Sequence, residues 1–182
     1  MHVAACLGQP PGAGGKHALM GTHNRIIGLG AGEYLEAIAI DPDAPPPDRA
    51  RWFGLDRLEG QARLGGWVVR TDDIGGEVSA RSELGDVLSL ERGALRWRMA
   101  VPRDGRQPFD GCMPAVIQWD SDPPSLEASG VRLTRLDLHH PRSDGLSAAL
   151  SGLIDDDRLH VATGPAALIA TFDTPDGPRI LR

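Results

Sequence analysis

The sequence predicts an α+β fold built from short strands with few helices. Three observations predict it. Glycine (23) and proline (15) punctuate β-like runs along the whole 182-residue chain, as residues that end regular structure do. Residues 66–119 read as strand, helix, strand, strand, strand. Residues 131–174 read as strand, helix, strand, strand.

The elements follow in order. Ala4 to Leu7 read as the last turn of a helix closed by Gly8, since glycine accepts the left-handed conformation that ends helices. His23 to Leu29 and Tyr34 to Ile40 are strand-like and are joined by the turn Gly30-Ala31-Gly32. Pro42 to Pro47 forbid regular structure and carry the chain over the surface toward Trp52. Gly66 to Thr71 form a strand closed by Asp72-Asp73, acids suited to cap a helix over 75–84 that Gly85 ends. Val87 to Leu90, the turn Glu91-Arg92-Gly93 and Ala94 to Val101 come next; after a loop, Met113 to Trp119 is a further strand. Beyond the linker DSDPPSLEASG, Val131 to His139 (strand), Ser143 to Ile154 (helix, with Ser143 or Asp144 as N-cap), Leu159 to Thr163 and Ala166 to Thr174 (strands) complete the chain.

Composition excludes several classes of function. A net charge of −6, with 19 basic residues scattered among 25 acidic ones, argues against a nucleic-acid surface, which needs clustered cations. The longest apolar stretches, AIAI and AALIA, are too short to span a bilayer. The N-terminus lacks a charged start followed by an apolar signal core, so a cytoplasmic location is the expectation. Two cysteines, Cys6 and Cys112, make no disulfide framework and read as free thiols. The acidic run Asp155–Asp157 reads as a solvated turn.

Glu36 is the most informative single residue. Alternation along a strand puts Tyr34, Glu36, Ile38 and Ile40 on one face and Leu35, Ala37 and Ala39 on the other. Both faces are largely apolar, so protein covers both, and an unpaired carboxylate there is expensive. Glu36 is either a paired structural acid or a group facing a pocket. Thr22-His23-Asn24 precede the strand: His23 suits a general base or donor at a pocket mouth, or with Asn24 ties down a turn. On Ala94 to Val101, Leu95, Trp97, Met99 and Val101 share one face and Arg96 and Arg98 the other. Arg96 is a candidate for gripping an anionic group. Trp67 and Trp97 read as core, and Trp119 as packing beneath the helix layer.

Tempting motifs fail. Gly28 to Gly32 lead into a strand, so they are no dinucleotide fingerprint. In Pro10 to His17, Pro10 replaces the first P-loop glycine and His17 the Ser/Thr. His139-His140 close a strand beside Pro141 and read as surface loop. No nucleophile elbow or zincin helix occurs.

The hairpin GTHNRIIGLGAGEYLEAIAIDPDAPPPDRARWFGL, with Glu36 in an apolar strand and a proline-rich exit, resembles the glyoxalase-like branch of the vicinal-oxygen-chelate superfamily. The resemblance implies paired βαβββ units forming a cupped mixed sheet around a small-molecule pocket. Residues 1–60 match a first unit truncated at its N-terminus, 61–122 a second unit, and 130–182 an appended βαββ element, all within one domain. A first unit short of its leading strand implies a late start or a fragment, and an open edge that a second copy can fill, as in a homodimer. In metal-dependent members, side chains from facing strands converge on a divalent ion. Here Glu36 matches one ligand position, Gly66 stands where a histidine is wanted, Gln118 stands at the last-strand position, and the remaining ligand strand is missing. That is a poor donor set, so no metal is expected, with a divalent ion as the alternative.

Two functions therefore compete, with a functionless truncated product as a third, weaker reading. One is a metal-free protein that holds a small molecule through His23, Asn24, Glu36, Arg96 and Gln118. The other is a metal-dependent lyase, isomerase or dioxygenase-type enzyme with Glu36 as base or ligand and His23 beside it.

Overall fold

A computed structural model describes residues 2–182. Helix α1 (His2–Leu7) stops at Gly8, whose φ of +70° turns the chain and whose N–H reaches Ala4 O at 3.0 Å. Strands β1 (Lys16–His17), β2 (Thr22–Gly30) and β3 (Glu33–Ile40) form an antiparallel sheet in the order β1-β2-β3. The β2–β3 ladder pairs Asn24 with Ile38 and Ile26 with Glu36. Strand β3 is the terminal strand of this sheet.

The second sheet contains β4 (Val68–Arg70), β5 (Asp86–Arg92), β6 (Leu95–Val101) and β7 (Ala115–Trp119), with α2 (Ile74–Ala80) between β4 and β5. Its order is β4-β7-β6-β5, with β4 and β7 parallel and the other pairs antiparallel. The strand-helix-strand-strand-strand order expected for residues 66–119 is thus present. Asp73 caps α2 by accepting the Gly76 N–H at 2.9 Å, satisfying one of the donors that a helix start leaves open.

The third sheet holds β8 (Arg132–His139), β9 (Leu159–Ala162), β10 (Ala167–Asp173) and β11 (Arg179–Leu181), with α3 (Ser143–Leu150) after β8. Its order is β11-β10-β8-β9, and β8 and β9 run parallel. Strand β11 was not expected: three residues after a proline turn carry no readable alternation. Helix α3 ends at Leu150, short of the expected Ile154, because Gly152 takes φ +73° and turns the chain away. Its cap also differs from expectation. Arg142 is the N-cap, with its N–H donated to His140 Nδ1, while the Ser143 hydroxyl lies 2.7 Å from that of Thr163.

Two apolar clusters hold the sheets together. The larger gathers Ile27 and Leu29 of β2, Ile74 of α2, Val116 of β7, Leu138 of β8, Leu146 of α3 and Phe172 of β10. The smaller gathers Met20, Trp52 and Leu55 with Leu90, Trp97, Met99, Ala115 and Ile117. It lies between the facing surfaces of the first and second sheets. Each fully buried side chain of this kind contributes about 1.5–3 kcal/mol over its exposed state. The fold is mixed α+β, as its sequence predicts.

Candidate functional site

Alternation decides which side chains meet between the first two sheets. On β1 it is His17, the partner of Thr22; on β2 Asn24 and Ile26; on β3 Tyr34, Glu36 and Ile38. From the opposite sheet come Arg92 at the end of β5, Trp97 and Met99 on β6, and Ile117 and Trp119 on β7. The turn carrying Trp52 and Phe53 covers them. These residues enclose a cavity of about 50 Å³, room for a few waters. The chain has four tryptophans, one tyrosine and three phenylalanines. Trp52, Trp97, Trp119, Tyr34 and Phe53 all line this one cavity, which gives it an apolar, aromatic wall.

The covering turn is strained. Phe53 and Gly54 are consecutive left-handed residues, at φ +56° and +62°, a conformation that costs a non-glycine residue about 1–2 kcal/mol. The Gly54 N–H bonded to Gly105 O at 2.8 Å helps hold it. Gly66 lies beneath the Phe53 ring: a Cβ added there would stand 2.9 Å from it.

Polar groups converge within this apolar wall. Asn24 is the hub. Its Oδ1 accepts the Gly15 N–H at 2.7 Å, and its amide donates to Glu36 Oε1. His17 Nε2 lies 3.8 Å from the same carboxylate oxygen, and His17 Nδ1 lies 3.1 Å from the Thr22 hydroxyl. Burial holds the His17 imidazole down at about 4, helped by the positive charge of Arg92 and by His23, so His17 is neutral at pH 7. Burial pushes Glu36 upward, opposed by the Asn24 hydrogen bond and by Arg92. Burial and the neighbouring Glu36 push the Tyr34 phenol to about 12, so it stays protonated. A carboxyl group raised toward neutrality beside a neutral imidazole is suited to accepting and returning a proton.

Of the residues expected from sequence, Glu36 and Asn24 line the cavity. His23, Arg96 and Gln118 do not. His23 neighbours Asn24 on one strand, so alternation turns it outward with Lys16, and it is exposed. Arg96 lies on the outer face of β6, 3.3 Å from Glu91 and bonded to Gly93 O. The face carrying Trp97 and Met99 is the inward one, which alternation alone could not decide. Gln118 accepts the Ile74 N–H at 2.9 Å and so helps cap α2. Its neighbour Trp119, expected beneath the helix layer, turns into the cavity instead. Sequence reasoning misses His17, whose two-residue strand shows no periodicity, and Arg92, which falls in the expected turn Glu91-Arg92-Gly93 but ends β5. Extending the Leu88-Leu90 alternation by one step would have found Arg92.

The divalent ion that the resemblance implies needs three or more protein donors. Glu36 and His17 are two. The Asn24 Oδ1 accepts the Gly15 N–H, the Gln118 Oε1 accepts the Ile74 N–H, and Gly66 leaves its space to Phe53. Among the described residues, no three His, Cys, Asp or Glu side chains come together as a metal site. The donor set does not fit such an ion.

Among the described residues, no helix is long and apolar enough to cross a membrane. No curated protein matches the chain. A crystal structure of a hypothetical protein from Staphylococcus aureus shares the fold at a TM-score of 0.51 and 13% sequence identity, the match covering 86% of this chain and 78% of that one. The family model for a glyoxalase-like domain matches residues 1–154. The chain thus belongs to the glyoxalase-like domain family of the vicinal-oxygen-chelate superfamily.

Proposed function

We propose that this protein binds a small organic molecule between its first two sheets without a resident divalent ion. One observation carries the reading: a hydrogen-bonded acid, Glu36, stands inside an aromatic wall with Asn24, His17 and Arg92 around it. Apolar walls with a few convergent polar groups and perturbed proton affinities mark small-molecule sites. The two-member donor set supports the metal-free part of the reading.

The test is a thermal melt of chelator-treated protein, with a small-molecule panel in one arm and zinc, nickel, manganese or iron(II) in another. A ligand well above its dissociation constant raises the Tm of the native state. Small molecules are expected to raise it and the ions to leave it unchanged. A rise with any ion that Glu36→Gln abolishes overturns the metal-free reading.

A second reading is catalysis, as a lyase or isomerase that moves a proton through Glu36. The raised carboxyl and the neutral imidazole 3.8 Å away favour it. Solvent-deuterium exchange into bound carbon acids, lost in Glu36→Gln, is its expected signature.

A further inference from the structure

We propose that the ligand of this cavity is a small aromatic carboxylate whose anionic group is received by Arg92 and Trp52. The inference rests on the pocket reading and names its ligand class. Two residues of the lining each carry a buried donor that has no hydrogen-bond partner among the described residues: Arg92 at Nη1 and Trp52 at its indole Nε1. Buried donors are normally paired, and an orphan calls for an explanation. Both orphans are donors, since guanidinium and indole N–H groups cannot accept. A matching ligand therefore brings acceptors. Arg92 is also cationic, and guanidinium matches carboxylate geometry better than it matches any neutral acceptor.

Arg92 is aimed here by its surroundings. It continues the inward alternation of Leu88 and Leu90 on β5. Its side chain lies across Gly15, where a Cβ would stand 2.6 Å from Arg92 Cδ and 2.7 Å from Nη1. Gly15 is the residue whose N–H binds Asn24, so the loop that fixes the hub also seats the cation. His17, Tyr34 and Glu36 line the same cavity as Arg92. Trp97 and Trp119, with ring centroids 5.5 Å apart and planes tilted by 43°, supply an apolar aromatic wall for a planar ring. Cationic donor and aromatic wall in one narrow space select a flat anion over a flexible or a neutral one.

The experiment titrates the wild-type protein with benzoate, benzamide and benzyl alcohol, following tryptophan fluorescence and calorimetric heat. Benzoate is expected to bind at least tenfold tighter than its neutral analogues. Arg92→Met should erase that preference, and Arg92→Lys should keep part of it. Equal binding of benzoate and benzamide to wild type overturns the carboxylate inference while leaving the pocket reading intact. So does a benzoate preference that survives in Arg92→Met. If all three compounds fail to bind, the pocket reading falls with it. The wild-type comparison decides the matter even where a variant fails to fold.

Discussion

His17 and Glu36 stand on the two outer strands of one three-stranded sheet, and their side chains meet across Asn24 with 3.8 Å between Nε2 and Oε1. The contact has the spacing of an ion pair, but the imidazole carries no charge at pH 7. Burial lowers the proton affinity of the imidazole and raises that of the carboxyl, so each group is pushed toward its neutral form.

The first prediction concerns acid stability. His17 binds a proton at about 4 when folded, against an ordinary value of 6.5. Between those values the unfolded chain holds more protons than the native one, so stability falls as pH drops from 6.5 to 4. The loss amounts to roughly 3 kcal/mol. Denaturant melts from pH 7 to 4 should show this decline in wild type and a shallower one in His17→Gln. Parallel profiles would exclude His17 as its source.

Glu36 has the opposite sign. Its folded affinity is raised above 4.5, so the native state holds the extra proton, and the stability this brings is lost as pH climbs through the folded value. Glu36→Gln keeps an oxygen for Asn24 and removes the charge. Its Tm should exceed that of wild type at pH 8 and converge with it below pH 4.5, the stability–function conflict expected of a binding site. A variant less stable than wild type at pH 8 would contradict this account.

Gly15→Ala tests the seat of Arg92. The added methyl would stand 2.6 Å from Arg92 Cδ, and a flexible side chain yields to such contact more readily than backbone does. Binding of benzoate should weaken at least tenfold while the Tm changes by only a few degrees. Unaltered binding would show that Arg92 is not held by this glycine.

Arg96 and Trp97 are adjacent on β6 and should behave oppositely. Arg96 is exposed and paired with Glu91, so Arg96→Ala should change stability by no more than about 0.5 kcal/mol and leave binding intact. Trp97 is buried at 5% exposure, and Trp97→Ala should cost about 3–5 kcal/mol. Chemical denaturation of both variants checks the pair.

Gln118→Ala removes the side chain that accepts the Ile74 N–H. An orphaned helix-start donor costs about 1 kcal/mol. Ligand binding should be unaffected, because Gln118 faces α2. Weakened binding at unchanged stability would move Gln118 into the cavity's workings.

Local pattern made much of this molecule readable. The β2–β3 hairpin and the face that Glu36 shares with Tyr34 and Ile38 follow from single-strand periodicity, and the Gly8 stop follows from glycine's conformational freedom. What stayed hidden is non-local. On β6 and β7, alternation separates two faces but not inside from outside, so Arg96 and Gln118 were placed beside the pocket and Trp119 away from it. His17 joins the site through a two-residue strand that only tertiary pairing with β2 creates. The glycines at 14 and 15 looked like a failed phosphate loop. Their use is close approach: a Cβ on Gly14 would stand 1.8 Å from Asn24 O.

Strand β3 supplies Tyr34, Glu36 and Ile38 to the cavity and is hydrogen-bonded to a neighbour along one side only. A strand paired along one margin leaves the backbone N–H and C=O groups of its other margin without a ladder partner, a row onto which a further strand can add. Glu36 stands on that outermost strand, so whatever pairs with the margin sits beside the wall of the cavity.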